Sequence, residues 1–154
     1  MKIWLSIIAA LALTACERHN YDPNADAQAE FDIALTEATA AERYLMVVCG
    51  ADWCPDCMKL HENLESSEVR EYMRDHMDFM TVDIGDRDRN LGFAASLGVS
   101  IENGIPVAVF FGPSGKPIGA TNNGQLEPSR YLTSRQILRF VQAVVDERRI
   151  TTPG

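Results

Sequence analysis

Residues 44–57 read YLMVVCGADWCPDC and contain the strongest structural signal in the chain. The first six of these residues form an unbroken apolar run of strand length, which is typical of a central strand covered on both faces. Pro55 suits the first position of a helix, where its missing N–H leaves no hydrogen bond unmade. The pattern therefore predicts a buried strand over residues 44–49, followed by a helix that Cys54 caps at its N-terminus.

The two cysteines after this strand are placed for thiol chemistry. A helix N-terminus carries partial positive charge and unpaired N–H groups, which favour the thiolate of Cys54 over its thiol. Cys57 lies three positions further on, so it faces the same side one turn deeper and can resolve a mixed disulfide formed at Cys54. We therefore predict Cys54 and Cys57 as the catalytic residues. Trp53 is predicted to shield the sulfur and to contact the substrate.

Apolar periodicity predicts the elements on either side of the motif. Helical spacing predicts helices over residues 26–42, 91–97 and 134–148, one from Pro55 through Leu64, and one from Ser67 whose apolar face ends with Met77. Strands are predicted over residues 79–84 and 105–111, with an edge strand over 117–121. This alternation predicts an α/β layered domain. A chain of 154 residues, 46% of them hydrophobic, suits a single core.

The motif resembles the thioredoxin superfamily. The run Ala51-Asp52-Trp53-Cys54 with Cys57, and the later Val82-Asp83 strand, are similar to the C-terminal thioredoxin-like domain of the transmembrane thiol:disulfide interchange protein. Trp-Cys-Pro-Asp-Cys is also the motif of certain thioredoxin-related reductases. The resemblance implies a thioredoxin-like fold, with a central mixed sheet flanked by helices, and the activity of a protein-disulfide reductase or oxidoreductase.

A second segment, Gly104-Ile105-Pro106, precedes an apolar strand and resembles the family's cis-proline segment. The resemblance implies a cis bond between Ile105 and Pro106 beside the cysteines. It also implies that the backbone of Ile105 pairs with an extended substrate, as an added strand does. We therefore predict Ile105 and Pro106 as substrate-binding residues, with Pro106 keeping the site closed to metal.

The strand before the motif departs from the family. Its relatives keep a buried acid there as a proton acceptor for the second cysteine, and Val48 occupies that position here. Water, Asp52 or Asp56 replaces this acid, or the resolving step is slower. Cys49, in the same strand, is predicted as a small buried hydrophobe rather than a redox group. Asp56 is expected to raise the pKa of Cys54, which favours a reductant or a general interchange role over a strong oxidant.

The first 15 residues form a predicted export signal. Lys2 precedes an apolar run that ends in small residues, and this run is shorter than the roughly 20 residues of a membrane-spanning helix. Leu13-Thr14-Ala15-Cys16 resembles a bacterial lipobox, which implies that Cys16 is lipidated and becomes the mature N-terminus. A plain secretory signal that ends in a cysteine by chance is the alternative.

The signal leads to a prediction of location and domain order. Residues 1–15 are predicted as a lipoprotein signal peptide, 16–25 as a polar tether and 26–154 as a thioredoxin-like domain. We expect the protein to be lipid-anchored in the cell envelope, on the periplasmic side. Glu17 follows the modified cysteine, and the resemblance to enteric lipoproteins then slightly favours the outer membrane.

Composition and compartment limit the partners. The net charge of −8 repels phosphate backbones, so nucleic acid is not an expected partner. Expected partners are exported protein substrates with disulfides and a membrane electron-donor protein that regenerates the dithiol outside the cytoplasm. Residues 122–132 form a longer loop than the family's and are expected to shape partner choice. No organic cofactor is expected.

Two other functions compete with thiol–disulfide exchange. Cys57 and His61 lie four apart on one helical face, so Cys54, Cys57 and His61 form a candidate site for copper(I) or zinc in a metallochaperone, although a fourth ligand is not apparent. The other alternative is a binding module that uses the fold as a chaperone. The intact cysteine pair argues against that module, because an inactive relative has no chemical need for both thiols.

Overall fold

The computed structural model describes residues 19–146 and Pro153. The predicted signal at 1–15, Cys16, Glu17 and the last two residues of the predicted helix 134–148 lie outside them. The helices are α1 (Ala27–Ala40), α2 (Pro55–Leu64), α3 (Ser67–His76), α4 (Leu91–Ser96) and α5 (Ser134–Val145). The strands are β1 (Tyr44–Gly50), β2 (Met77–Asp83), β3 (Val107–Phe111) and β4 (Pro117–Ala120). No helix within the described residues has the length and apolar character that crossing a membrane requires.

The four strands form one mixed sheet in the order β2-β1-β3-β4. Strand β1 pairs in parallel with β2 and antiparallel with β3, and β3 pairs antiparallel with β4. All seven residues of β1 are buried, as the unbroken apolar run predicts. The α/β fold with a mixed sheet flanked by helices is confirmed, and β1 delivers the cysteine motif from the middle of the sheet.

Helices cover both faces of this sheet. Phe111 packs against Phe31 of α1 with ring centroids 5.2 Å apart, whereas Phe110 packs edge-on against Phe140 of α5 at 5.9 Å. Because neighbouring residues of a strand point to opposite faces, α1 and α5 lie on opposite sides of the sheet. The core is therefore layered, with β1 and β3 at its centre.

The boundary between α3 and β2 and a turn in the loop 122–132 both differ from the sequence prediction. Met77, predicted on the apolar face of a helix, begins β2 and pairs with Tyr44 in the parallel ladder. In the ladder, Met77 takes part in backbone hydrogen bonding between β2 and β1. It would lack this pairing if it extended α3 by one residue. A short 3₁₀ turn at Ser129–Tyr131 was not predicted, and it lies within the long loop 122–132.

Within the predicted polar tether 16–25, the structure describes residues 19–25, of which Tyr21 packs into the domain while residues 22–24 are exposed. The Tyr21 side chain is only 1% exposed. The amides of Asn20 and Tyr21 both donate to Asp52 Oδ1, at 3.2 and 3.1 Å, and Thr81 Oγ1 donates to the Asn20 carbonyl at 2.6 Å. One large aromatic side chain among polar residues therefore holds residues 20 and 21 against the domain.

Candidate active site

Cys54 lies between the end of β1 and the start of α2. Its backbone is extended, with φ −86° and ψ 114°, and its amide donates to the Ala51 carbonyl at 3.1 Å. The Cys57 amide donates to Cys54 Sγ at 3.2 Å, and Pro55 follows at the first helical position. The structure confirms Cys54 as the N-cap of α2. Its sulfur accepts a hydrogen bond from the first turn, whose N–H groups have no partner within the helix.

This position lowers the pKa of Cys54 to about 7. The largest cause is a hydrogen bond from the Cys57 side chain; burial opposes it, and the amides of Cys57 and Asp56 add further stabilisation of the thiolate. The same hydrogen bond raises the pKa of Cys57 well above its ordinary value, and burial raises it further. At neutral pH, Cys54 therefore carries the negative charge of the pair and Cys57 keeps the proton.

The cis bond between Ile105 and Pro106 is present. It lies just before β3, and the Ile105 carbonyl oxygen is 3.7 Å from Cys54 Sγ. The Ile105 side chain is buried, so this residue offers its backbone rather than its side chain to anything that approaches the sulfur. The structure thus brings the two predicted segments, the cysteine motif and the proline segment, together at one place.

Trp53 forms the exposed side of the site. The side chain is 54% exposed, and its indole Nε1 donates to the Gly85 carbonyl at 2.9 Å. This hydrogen bond ties the ring to the loop that follows β2. Trp53 consequently presents a fixed apolar surface immediately before Cys54.

Asp56 is ion-paired with Arg130, and this bears on the expectation that its charge raises the pKa of Cys54. The Arg130 guanidinium Nε is 3.0 Å from both carboxylate oxygens, and the Arg130 amide donates to Oδ1 at 2.8 Å. Burial alone would raise the pKa of Asp56, but these contacts with Arg130 lower it below its usual range. Asp56 does act to raise the pKa of Cys54, but it is the smallest of the causes and the net shift is downward. The sequence analysis missed Arg130. The feature that could have pointed to this residue is the extra length of the loop 122–132, which carries it.

Residues 26–113 match the thioredoxin-like family of proteins. The chain belongs to the thioredoxin-like family. A disulphide isomerase from Xylella fastidiosa Temecula1 superposes with a TM-score of 0.79 and 29% identity, covering 83% of this chain and 98% of its own.

More distant solved structures share the fold. An oxidoreductase called DsbH has a TM-score of 0.57 and 21% identity over 77% of this chain and 83% of its own. A thioredoxin from Thermus thermophilus has a TM-score of 0.54 and 20% identity over 74% of this chain and 82% of its own. No curated protein sequence gives a significant match.

Among residues 19–146, the structure places no carboxylate in hydrogen-bond contact with the second cysteine, Cys57. Val48 is fully buried in β1. Of the two acids considered as replacements, Asp52 accepts hydrogen bonds from His19, Asn20 and Tyr21, and Asp56 is bound to Arg130. Neither acid is therefore the hydrogen-bond partner of the Cys57 thiol in the described part of the chain.

Gly50 lies close to both the Cys57 sulfur and the Tyr21 ring. A Cβ atom added at Gly50 would lie 2.8 Å from Tyr21 Cε1 and Cζ and 2.9 Å from Cys57 Sγ. The aromatic ring and the sulfur thus both lie against the one position in β1 that has no side chain. The sequence analysis missed Tyr21 because it lies in the predicted tether, where a single aromatic gave no periodic signal.

The remaining candidates are a fully buried thiol, Cys49, and a partly buried imidazole, His61. Cys49 is fully buried, and burial raises the pKa of its thiol to about 12, in agreement with the predicted small buried hydrophobe. His61 packs edge-on against Phe79, with ring centroids 5.8 Å apart. Across residues 19–146, no group of three or more His, Cys, Asp or Glu side chains is arranged to hold a metal ion. The three-ligand site required by the metallochaperone hypothesis is therefore not assembled.

Proposed function

We propose that this thioredoxin-like protein is a thiol–disulfide oxidoreductase of the bacterial cell envelope that reduces or exchanges disulfides in exported proteins. The observation that supports this most is the Cys54 sulfur at the N-cap of α2, held at a pKa of about 7 with Cys57 as its hydrogen-bond donor. A thiolate populated at neutral pH is the nucleophile that disulfide exchange needs. The similarity to the Xylella fastidiosa disulphide isomerase, at 29% identity, agrees with this chemistry.

The reaction follows from the two pKa shifts. The Cys54 thiolate attacks one sulfur of the substrate disulfide, the substrate S–S bond breaks, and its second sulfur leaves with the electron pair. The Cys57 thiol then loses its proton, and its sulfur attacks Cys54 Sγ. The first substrate sulfur leaves as a thiolate. The substrate ends as a dithiol and the protein as a Cys54–Cys57 disulfide, with the Cys57 proton and one proton from solvent protonating the two substrate sulfurs.

Substrate binding is assigned to three residues around Cys54. Trp53 supplies an exposed apolar surface, and the carbonyl of Ile105 lies 3.7 Å from the nucleophile. We propose that an extended segment of the substrate pairs with the backbone at Ile105 and Pro106, with its disulfide above Cys54. The side chains of the substrate then contact the Trp53 ring.

The direction of exchange is proposed as reduction. A strongly oxidising pair holds its nucleophilic cysteine at a pKa of about 3.5, whereas thioredoxin holds it at about 7. The pKa of Cys54 here is about 7, which supports a reducing or general interchange role. A reductase used outside the cytoplasm needs a supply of electrons, so a membrane electron-donor protein is the proposed partner.

The proposed location rests on the N-terminal sequence. Export through residues 1–15 and lipidation at Cys16 would anchor the domain at the periplasmic side of the envelope, with the outer membrane slightly favoured. Incorporation of labelled palmitate should occur in the wild type and be lost in Cys16→Ser. Labelling that persists in this variant would overturn the proposed anchor.

Reduction of insulin by the purified full chain tests the activity. We expect catalysed reduction by the wild type and by Cys49→Ala, whose sulfur is buried apart from the pair, and only the uncatalysed rate with Cys54→Ser. Equal rates for Cys54→Ser and the wild type would refute the proposal. Measurement of the reduction potential tests the direction: a value near about −270 mV supports a reductase, and one near about −120 mV an oxidase.

A further inference from the structure

Tyr21 carries a buried polar atom that its surroundings leave without a partner. Its side chain is 1% exposed, and its hydroxyl oxygen has no hydrogen-bond partner among the residues that the structure describes. A buried hydroxyl in this state costs free energy of folding, and phenylalanine would fill the same space without that cost. The hydroxyl therefore requires an explanation other than packing.

The ring of Tyr21 lies beside the second cysteine of the pair. Its Cζ, the carbon that bears the hydroxyl, and Cys57 Sγ lie 2.8 and 2.9 Å from the same point beside Gly50. The ionisable groups that act on Tyr21 are Cys57, Cys54, Cys49 and Asp52, with Cys57 the strongest; those that act on Cys57 are Cys54 and Asp56.

The two carboxylates among these groups are already engaged. Asp52 accepts the backbone amides of residues 20 and 21, and Asp56 is bound to Arg130. Val48, which occupies the position in β1 where the family's relatives keep a buried acid, is apolar. The Tyr21 hydroxyl is thus a hydrogen-bond donor without a partner among the described residues, on a ring that lies beside the Cys57 sulfur.

We propose that the Tyr21 hydroxyl donates a hydrogen bond to the Cys57 sulfur as that sulfur gains negative charge during resolution of the mixed disulfide. This inference rests on the proposed function. The Cys57 proton passes to the departing substrate sulfur, the Cys57–Cys54 bond forms, and the bond between Cys54 and the substrate breaks. Tyr21 keeps its own proton throughout, so the electron and proton balance of the exchange is unchanged.

The environment of Tyr21 favours a donor over a base. Burial raises the pKa of its hydroxyl well above the ordinary value of 10.0, and the nearby Cys57 raises it further. A phenol that stays protonated cannot accept the Cys57 proton, but it can stabilise a thiolate by donating to it. Its role is to stabilise the resolving sulfur, whereas the nucleophile Cys54 is stabilised by the start of α2.

Tyr21→Phe in the full chain tests the proposal, with Tyr44→Phe as a matched control. Tyr44 is also a buried tyrosine, but its hydroxyl donates to the Val145 carbonyl at 2.9 Å, far along the chain from the motif. We expect Tyr21→Phe to attack a disulfide peptide at the wild-type rate and to resolve the mixed disulfide about tenfold more slowly, as loss of a hydrogen bond to a charged group predicts. Tyr44→Phe should resolve at the wild-type rate. Acid quenching and separation of the mixed disulfide measure both steps.

Two outcomes of this experiment would overturn the inference. One is an unchanged resolution rate in Tyr21→Phe while the wild type reduces the peptide, which leaves the proposed function intact. The other is a melting temperature for Tyr21→Phe that falls as far as that of Tyr44→Phe, since this would show that the hydroxyl has a structural partner. Failure of the proposed function is seen separately, as a wild type that never forms the mixed disulfide.

A titration without substrate decides the inference independently. The Cβ carbon of Cys57 is followed by NMR against pH in Cys54→Ala, with and without Tyr21→Phe. We expect removal of the hydroxyl to raise the pKa of Cys57, because a hydrogen-bond donor to the thiolate is lost. An identical or lower pKa in the double variant would refute the proposal.

Discussion

The two cysteines of the motif lie one helical turn apart in opposite surroundings. We call the exposed side, formed by Trp53, Cys54 and the Ile105 backbone, the mouth of the site. The interior side, formed by Gly50, Cys57 and Tyr21, is its floor. At the mouth, the Cys57 thiol and the first helical amides lower the pKa of Cys54 to about 7. At the floor, the hydrogen bond to Cys54 and burial raise the pKa of Cys57.

This contrast shows that position, rather than residue type, separates the two chemical roles. Both residues are cysteines on the same helix, and both side chains are largely buried. The mouth offers the Cys54 sulfur the amides of residues 56 and 57, whereas at the floor the hydrogen bond to Cys54 and burial outweigh a single backbone hydrogen bond with Ala51. The nucleophile and the resolving group are therefore distinguished before any substrate arrives.

The largest expected effect comes from removing the sulfur of the floor. Cys57→Ala should abolish turnover of insulin, because the mixed disulfide at Cys54 is no longer resolved within the protein. It should also raise the pKa of Cys54 from about 7 toward 9.0, since the Cys57 side chain is the largest cause of the shift. Trapping of the mixed disulfide and the pH dependence of Cys54 alkylation measure these effects. A Cys54 pKa that stays near 7 would show that the helix amides alone stabilise the thiolate.

The next effect tests how tightly the floor is packed. Gly50→Ala places a Cβ atom under 3.0 Å from both the Tyr21 ring and Cys57 Sγ, so it should destabilise the protein by about 1–3 kcal/mol. Gly92→Ala is the matched control, because nothing lies within 4 Å of its added Cβ. This control should be neutral or stabilising by about 0.5–1 kcal/mol, since Gly92 lies in a helix. Chemical denaturation measures the free energy of unfolding of both variants. Equal values would mean that the residues around Gly50 rearrange at little cost.

A smaller effect is expected in the pH dependence of stability. The pKa of Cys54 falls from 9.0 in the unfolded chain to about 7 in the fold, so its stabilisation is complete above pH 9 and is lost as the pH falls through 7. The free energy of unfolding of the reduced protein should therefore rise by about 1–2 kcal/mol between about pH 6 and pH 8.5. Cys54→Ser should lack this rise. Cys49 and Cys57 oppose it only near and above pH 9, because their pKa values are raised. Equal slopes in the two proteins would contradict a stabilised thiolate at the mouth.

The smallest effect concerns contact with the substrate at the mouth. Trp53→Ala should raise KM for a disulfide peptide about fivefold with little change in kcat, as loss of one aromatic contact predicts. Trp53→Phe should restore most of the affinity. Ile33→Ala, which alters an exposed apolar residue of α1, should leave KM unchanged. A reduced kcat with an unchanged KM would place Trp53 in the chemical step instead.

Local signals in the sequence predicted much of the mouth. An apolar run, a proline at the first helical position and a cysteine before it specify a strand, a cap and a helix within 14 residues. The floor was harder to predict. Its aromatic ring comes from a polar segment, and no period of 2 or 3.6 residues marks a single anchoring side chain. The pairing of Asp56 with Arg130 was missed for a related reason, because 74 positions of chain separate the two residues.

By itself, the sequence determined the order of helices and strands, the position of Cys54 at a helix N-terminus and the spacing that places Cys57 one turn away. These properties depend on backbone geometry over a few residues, which composition and spacing encode directly. Only the tertiary structure decided that Asp56 is neutralised by Arg130 and that the Tyr21 ring lies beside Cys57 at Gly50. Contacts of this kind depend on how layers pack, so residues distant in the chain become neighbours only once the sheet and its helices have assembled.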